Sequence, residues 1–290
     1  MVSFSIALIC GIIAPFVWGL MNIMDKFVVE KKVHNSLSFA VIAGGVNVCF
    51  GLIIALFLSW NSISFYQILF PLLTGFLFGL SFYLYYYLIS KEEVSTFIGL
   101  MYLYPIVVAM LSFFILHERL SWVQYLGAIV IICGAILLSL KQKRINIKVS
   151  LWLLALFIIN VAFYEFSVKL ATMNLNEWNS VSLTMIMTGV TVMSGIFWKN
   201  IRLGIKHELR NIGWSTINES MTVIAMILTY FAMSGIPATI VSAIQATQPL
   251  AVLCLEAVFA LFGVKLAKEL GFKRKFFPII LIVIGIILIT

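Results

Sequence analysis

The chain has 290 residues, of which 63% are hydrophobic and only 10% charged, and its mean hydropathy is +1.12. A soluble domain carries about 25% charged residues, so a water-soluble enzyme or binding module is excluded and an integral membrane protein is expected. The net charge of +8 does not signal nucleic acid, because the basic residues lie in short loops between apolar spans, where they set orientation.

A bilayer core of about 30 Å is crossed by about 20 apolar residues in a helix. Ten segments qualify, near 4–29, 38–59, 66–89, 95–116, 120–140, 151–172, 180–198, 211–235, 238–262 and 274–290. Lipid offers no partner for open backbone groups and the segments lack barrel-strand alternation, so all are expected to be helices. The first has no basic leader or small-residue cleavage site and reads as a retained helix. Cys10, Cys49, Cys133 and Cys254 fall inside spans and read as small packing residues, not as a disulfide or metal framework. The pairs Gly44 and Gly45, Gly75 and Gly79, and Gly189 and Gly195 permit close helix contact.

Charged and polar residues inside spans are costly and mark cavities or partners. In the first span Asn22 and Lys26 share a face, one turn beyond Trp18. Asp25 adjoins Lys26 on a different face and reads as packing. The third span carries Tyr83, Tyr85, Tyr86 and Tyr87, of which the last two fit an interfacial aromatic belt. The sixth span carries Tyr164, Glu165 and Lys169. Lys26 and Lys169 either bind an anionic group, hold a gate by an ion pair, or snorkel from helix ends. The eighth span contains Asn218 and Glu219 with no cation nearby in sequence, which suits proton exchange or binding of a cationic substrate. Glu256 in the ninth reads as a packing group near the helix end. Trp18 and Tyr164 are candidate walls of an aromatic cage.

The stretch from Val94 to Leu138 is echoed by the stretch from Ala238 to Leu288. Pro105 and Pro249 are 144 positions apart, as are Ser95 and Thr239, and Gly134 is matched by Gly285 after a longer polar break. Such self-similarity at half the chain length indicates duplication. Residues 1–145 and 146–290 are therefore expected to be five-helix repeats. Five is odd, so the second must be inverted relative to the first, as in many secondary transporters. Pro105 and Pro249 should kink their helices and bare carbonyls one turn earlier. Tyr102 and Tyr104 flank one kink, and Gln245 and Gln248 the other; both sets are expected to face a central cavity. Sixteen of the 19 Lys and Arg residues lie in loops after odd-numbered spans, and only Arg119 in a loop after an even-numbered one. That asymmetry puts the odd-span loops in the cytoplasm of a plasma (inner) membrane protein, with both termini outside. His34, His117 and His207 lie in loops or at their edges, and metalloprotease, nucleophile-elbow and P-loop signatures are missing. No enzyme activity, cofactor or metal is expected; the partners are the bilayer, a small-molecule substrate and protons.

Pro105, the run His117-Glu118-Arg119-Leu120, and Gln124-Tyr125-Leu126-Gly127 through Gly134 resemble the end of the first repeat in the drug/metabolite transporter superfamily, EamA type. Trp18 and Lys26 are similar to that family's first-helix pattern. Two departures stand out: His117 replaces the usual Gly, and Val264-Lys265-Leu266 replaces the Glu-Arg pair in the second copy. The resemblance implies ten helices in a basket around a central cavity, moving solutes by alternating access. The resulting expectation is a secondary active transporter of a small polar or cationic metabolite, proton-coupled. A flippase of a lipid-linked substrate and a non-transporting membrane scaffold are the alternatives.

Overall fold

A computed structural model describes residues 2–61, 63–91, 101–139, 151–261 and 272–289. The expected starts of the fourth span at 95–100, the loop at 140–150 with its basic residues, and the 262–271 loop holding Val264-Lys265-Leu266 lie outside the described residues. So do Ser95 and the side chain of Lys26.

Among the described residues the chain is all α-helical, and every expected span has a helix. They are α1 Phe4–Lys31, α2 Ser36–Leu56, α3 Phe65–Lys91, α4 Tyr104–Ile115, α5 Trp122–Ser139, α6 Leu151–Asn174 and α7 Glu177–Met193. A short helix not foreseen in the sequence, α8 Lys199–Glu208, follows, and then α9 Ile212–Gly235, α10 Ala238–Gln245, α11 Gln248–Leu261 and α12 Phe272–Ile289. The charge on α8 (Lys199, Arg202, Lys206) suits a membrane face. Its Ile201 carbonyl accepts the Ser38 hydroxyl at 2.8 Å, pinning α8 to the start of α2. Helix starts carry the residue types that satisfy orphan amides. Asn35 accepts from the Ser38 amide at 3.1 Å and Asn176 from the Asn179 amide at 3.0 Å.

The prolines act more strongly than expected. The ninth span is two helices, α10 and α11, interrupted at Ala246 and Thr247, and the chain turns at Tyr102 and Leu103 before α4 begins. Pro105 and Pro249 are each the second residue of the resuming helix. A proline has no amide to bond backwards and disfavours helical geometry in the residue before it, so the helix restarts where that loss is harmless. Each feature is a break, not a kink.

The packing has an internal order. α2 lies along α7, α5 along α12, α1 along α9, and α3 along both α6 and α7. Smaller contacts join α1 to α11, α4 to α6, and α2 to α9. Exchanging the first span with the sixth, the second with the seventh, and so on, carries this set of pairs into itself. Glycines sit where the exchanged partners meet. A Cβ on Gly127 would lie 2.9 Å from the Gly285 carbonyl, and one on Gly134 would lie 3.0 Å from that of Pro278. Large apolar side chains such as Leu56, Phe57, Trp122 and Trp152 point outward, as expected of a multi-pass membrane protein in lipid. Cys49, Cys133 and Cys254 are free and exposed, and Cys10 is free and half-buried.

Candidate functional site

The helices leave a cavity at the centre of the molecule. Its non-atom space, opening included, is about 800 Å³. From α1 it takes Trp18, Asn22 and Asp25; from α3, Phe78, Tyr85 and Tyr86; from α6, Tyr164 and Glu165. α9 adds Asn218 and Glu219, and the two broken spans add Tyr104, Gln245 and Gln248. Thus eight of the expected binding residues (Trp18, Asn22, Tyr164, Glu165, Asn218, Glu219, Gln245 and Gln248) converge on one space.

The breaks place their polar groups by freeing side chains at the ends of short helices. Tyr102 is buried and donates its hydroxyl to Gln248 Oε1 at 3.3 Å. It does not line the cavity; it bridges the first proline break to the second. Gln245 donates to the Thr229 hydroxyl at 3.1 Å, and the Trp18 indole donates to the same oxygen at 3.3 Å. One α9 threonine therefore orients both the glutamine and the indole.

Three carboxylates face this space, and each is buried: Asp25, Glu165 and Glu219. Among the described lining side chains there is no Lys, Arg or His. Asp25 contradicts its reading as a packing group. Its Oδ1 accepts from Asn218 at 2.8 Å and from the Tyr86 hydroxyl at 3.1 Å, and its Oδ2 from the Tyr85 hydroxyl at 3.4 Å. Tyr86 is accordingly a buried cavity residue, not part of an interfacial belt, because its hydroxyl has a carboxylate to meet inside the bundle. Glu219 Oε2 accepts from Asn47 of α2 at 2.8 Å. Glu165 differs: its Oε2 is buried with no hydrogen-bond partner among the described residues, and the Tyr164 hydroxyl and Asn218 Oδ1 are in the same condition. All three atoms belong to residues that line the cavity. The walls beside them are aromatic. Tyr164 stacks on Phe78 with ring centroids 4.5 Å apart, and Trp18 meets the edge of Phe78 at 6.1 Å.

Lys169 is not in the cavity. Its ammonium donates to the Met233 carbonyl at 2.7 Å and the Ile236 carbonyl at 2.8 Å. It closes the C-terminus of α9, where unpaired carbonyls and the helix dipole favour a cation. Across the same corner Glu118 accepts from the Ala238 amide at 2.9 Å and from the Thr239 hydroxyl at 3.4 Å, closing the start of α10. The Glu118 of the first-repeat motif is therefore a helix cap reaching across to the other half of the chain. Glu256 is half-buried and off the cavity.

Residues 5–140 match the EamA-like transporter family. No curated protein gives a significant sequence match. Among solved structures, the crystal structure of a protein 17% identical to this chain superposes with a TM-score of 0.69, over 99% of this chain and 98% of the other. At that identity the likeness concerns the fold.

Proposed function

Residues 5–140 place the chain in the EamA type of the drug/metabolite transporter superfamily, and from that premise we propose that it is a secondary active transporter of a small polar or cationic metabolite, coupled to protons. The observation that carries the reading is the charge of the cavity: three buried carboxylates, aromatic walls, and no basic group among the described lining side chains. Charged groups held in a membrane protein's interior are expensive and are kept for pathways and relays. A cation neutralises the carboxylates, and the Trp18–Phe78–Tyr164 rings offer their faces to it. Glu165 and Glu219 are the groups that exchange a proton for substrate, joined by Asp25. Asn22, Asn218, Gln245 and Gln248 are polar contacts, and Tyr104 is a further wall.

The exchange symmetry of the packing supports division into an inverted pair, 1–145 and 146–290. Alternating access would then rock one half against the other around the shared cavity. The proline breaks supply short, separately movable helix segments at that boundary. The basic loops lie in the cytoplasm of the plasma (inner) membrane with both termini outside, as the Lys and Arg asymmetry requires. The convergence of Glu165, Glu219, Gln245 and Gln248 on one cavity counts against a scaffold, whose polar residues would be used up between helices.

Proteoliposome exchange driven by a pH gradient tests the mechanism, after a thermal-shift screen of organic cations and neutral metabolites on purified protein selects a substrate. Glu165→Gln and Glu219→Gln should each abolish gradient-driven accumulation. Wild-type transport by both variants at every pH would remove these carboxylates from the mechanism.

A further inference from the structure

At the corner between α1 and α2, three potential ligands meet. His34 comes from the α1–α2 corner, and His207 and Glu208 from the end of α8. Glu208 Oε1 lies 4.0 Å from His34 Nδ1 and 3.6 Å from His207 Nδ1. One ligand atom from each residue falls within 4.8 Å of the others. Tetrahedral zinc with ligands at about 2.0–2.1 Å separates them by about 3.3 Å, so small side-chain rotations would close the set. Both imidazoles are solvent-accessible while Glu208 is 1% exposed, which gives an ion an entry path and a fixed anchor.

The anchor is already oriented. Glu208 accepts from the His34 amide at 2.9 Å, the Asn35 amide at 3.0 Å and Asn211 Nδ2 at 2.8 Å. A carboxylate has about four acceptor positions; Oε1 takes the two amides and Oε2 takes Asn211, so the open position is on Oε2. Such outer partners are what hold a ligating carboxylate in place. The two rings meet edge to face with centroids 4.3 Å apart, so both nitrogens already stand beside the carboxylate. The surroundings are basic: Arg210 touches the His207 ring, and Lys31, Lys32 and Lys206 lie within a few residues along the chain. That field disfavours Ca²⁺ and Mg²⁺, which are held by oxygen-rich, anionic sites. A borderline ion that forms strong bonds to imidazole tolerates it better.

We propose that His34, His207 and Glu208 form a binding site for a zinc-class divalent ion, with one coordination position open to water. The ion ties the α1–α2 corner in the first half to the α8 segment in the second, adding to the packing and hydrogen bonds already there. The site does not depend on the transport reading.

The test is zinc binding to the full chain in detergent, with any histidine tag removed, measured by competition with a chromophoric chelator. One Zn²⁺ per chain is expected, undisturbed by millimolar Mg²⁺ or Ca²⁺. His34→Ala and His207→Ala should each weaken binding at least about tenfold, the lower end of what even an outer partner contributes. Arg210→Gln, which removes the guanidinium competing for His207, should strengthen it. Should an alanine variant fail to fold, His34→Asn and His207→Gln report the same loss. Zn²⁺ affinity unchanged in the histidine variants, no stoichiometric Zn²⁺ binding, or displacement of Zn²⁺ by Mg²⁺ or Ca²⁺ would overturn the proposal.

Discussion

Buried or half-buried carboxylates occur in two settings here, and they are bonded differently. At the membrane-face corners, Glu208 takes three donors and Glu118 takes an amide and a hydroxyl of α10's first turn. In each case the donors include backbone amides of a helix start in the other half of the chain. In the cavity, Glu165 Oε2 has no hydrogen-bond partner among the described residues, and Glu219 Oε2 has one amide from Asn47. A carboxylate whose lone pairs are filled by fixed amides is a structural tie. One left open in a cavity is kept for something that arrives. Asp25, with Asn218, Tyr85 and Tyr86 around it, stands between these cases: it faces the cavity, yet its partners are side chains that can rearrange.

The comparison breaks if variants at the two settings behave alike. The largest expected effect is on transport. Glu165→Gln should lower the rate by at least about a hundredfold, the loss of one positioned proton-transfer group, while the thermal midpoint stays the same or rises. A fall in the midpoint with transport intact would make Glu165 structural.

Glu208→Ala should give the opposite pattern. It leaves the His34 and Asn35 amides and the Asn211 side chain without their acceptor, at about 1–3 kcal/mol for each group that water cannot reach. A loss of about 2–3 kcal/mol in stability is expected, with substrate KM unchanged in protein that remains folded. Denaturation in mixed micelles and a transport assay on the same preparation check both halves of this expectation.

Lys169→Met should cost somewhat less, about 1–2 kcal/mol, because two carbonyls lose a donor rather than three donors losing an acceptor, although Met233 and Ile236 are themselves buried. The side chain's stem still packs. Substrate affinity measured by thermal shift should not change. A shift in affinity for cations, and not for neutral solutes, would return Lys169 to the cavity's charge balance.

These contrasts also mark what the sequence made legible. The spans were readable because lipid demands an unbroken run of about 20 apolar residues. That Glu165, Glu219, Gln245 and Gln248 face one cavity was readable because a polar group deep in a span has few ways to be accommodated. Lys169 was misread for the same reason: depth in the sequence of a span does not distinguish a cavity from another helix's carbonyl end, which only packing brings near. Asp25 was overlooked beside Lys26, although it lies three residues after Asn22 and seven after Trp18, on the helical face they share. That periodicity was the available signal. Phe78 carried none, since an aromatic residue in an apolar span has no distinguishing pattern. The α8 helix was hidden because its charges read as a loop, and a short amphipathic helix on a membrane face is charged on its outer side.

The smallest effect concerns the corner at Glu118, where local backbone geometry aims the cap. His117 has φ of 54°, the left-handed conformation that glycine adopts freely and that helix ends commonly use. It turns the chain so that the Glu118 amide returns to the Ser112 carbonyl at 3.1 Å, and the Glu118 carboxylate faces Ala238. The turn is a property of the corner, and histidine bears its strain. His117→Gly removes about 1–2 kcal/mol of left-handed strain and adds about 0.5–1 kcal/mol of unfolded-state freedom. The net expectation is a gain of about 0.5–1 kcal/mol, seen as a small rise in thermal midpoint with transport unchanged. His117→Val, branched at Cβ, should lower the midpoint. In a Glu118→Ala background the gain from glycine should persist, because the strain belongs to the turn and not to the cap. If it disappears there, the turn and the cap act as one unit, and the corner carboxylates are coupled to backbone geometry in a way those of the cavity are not.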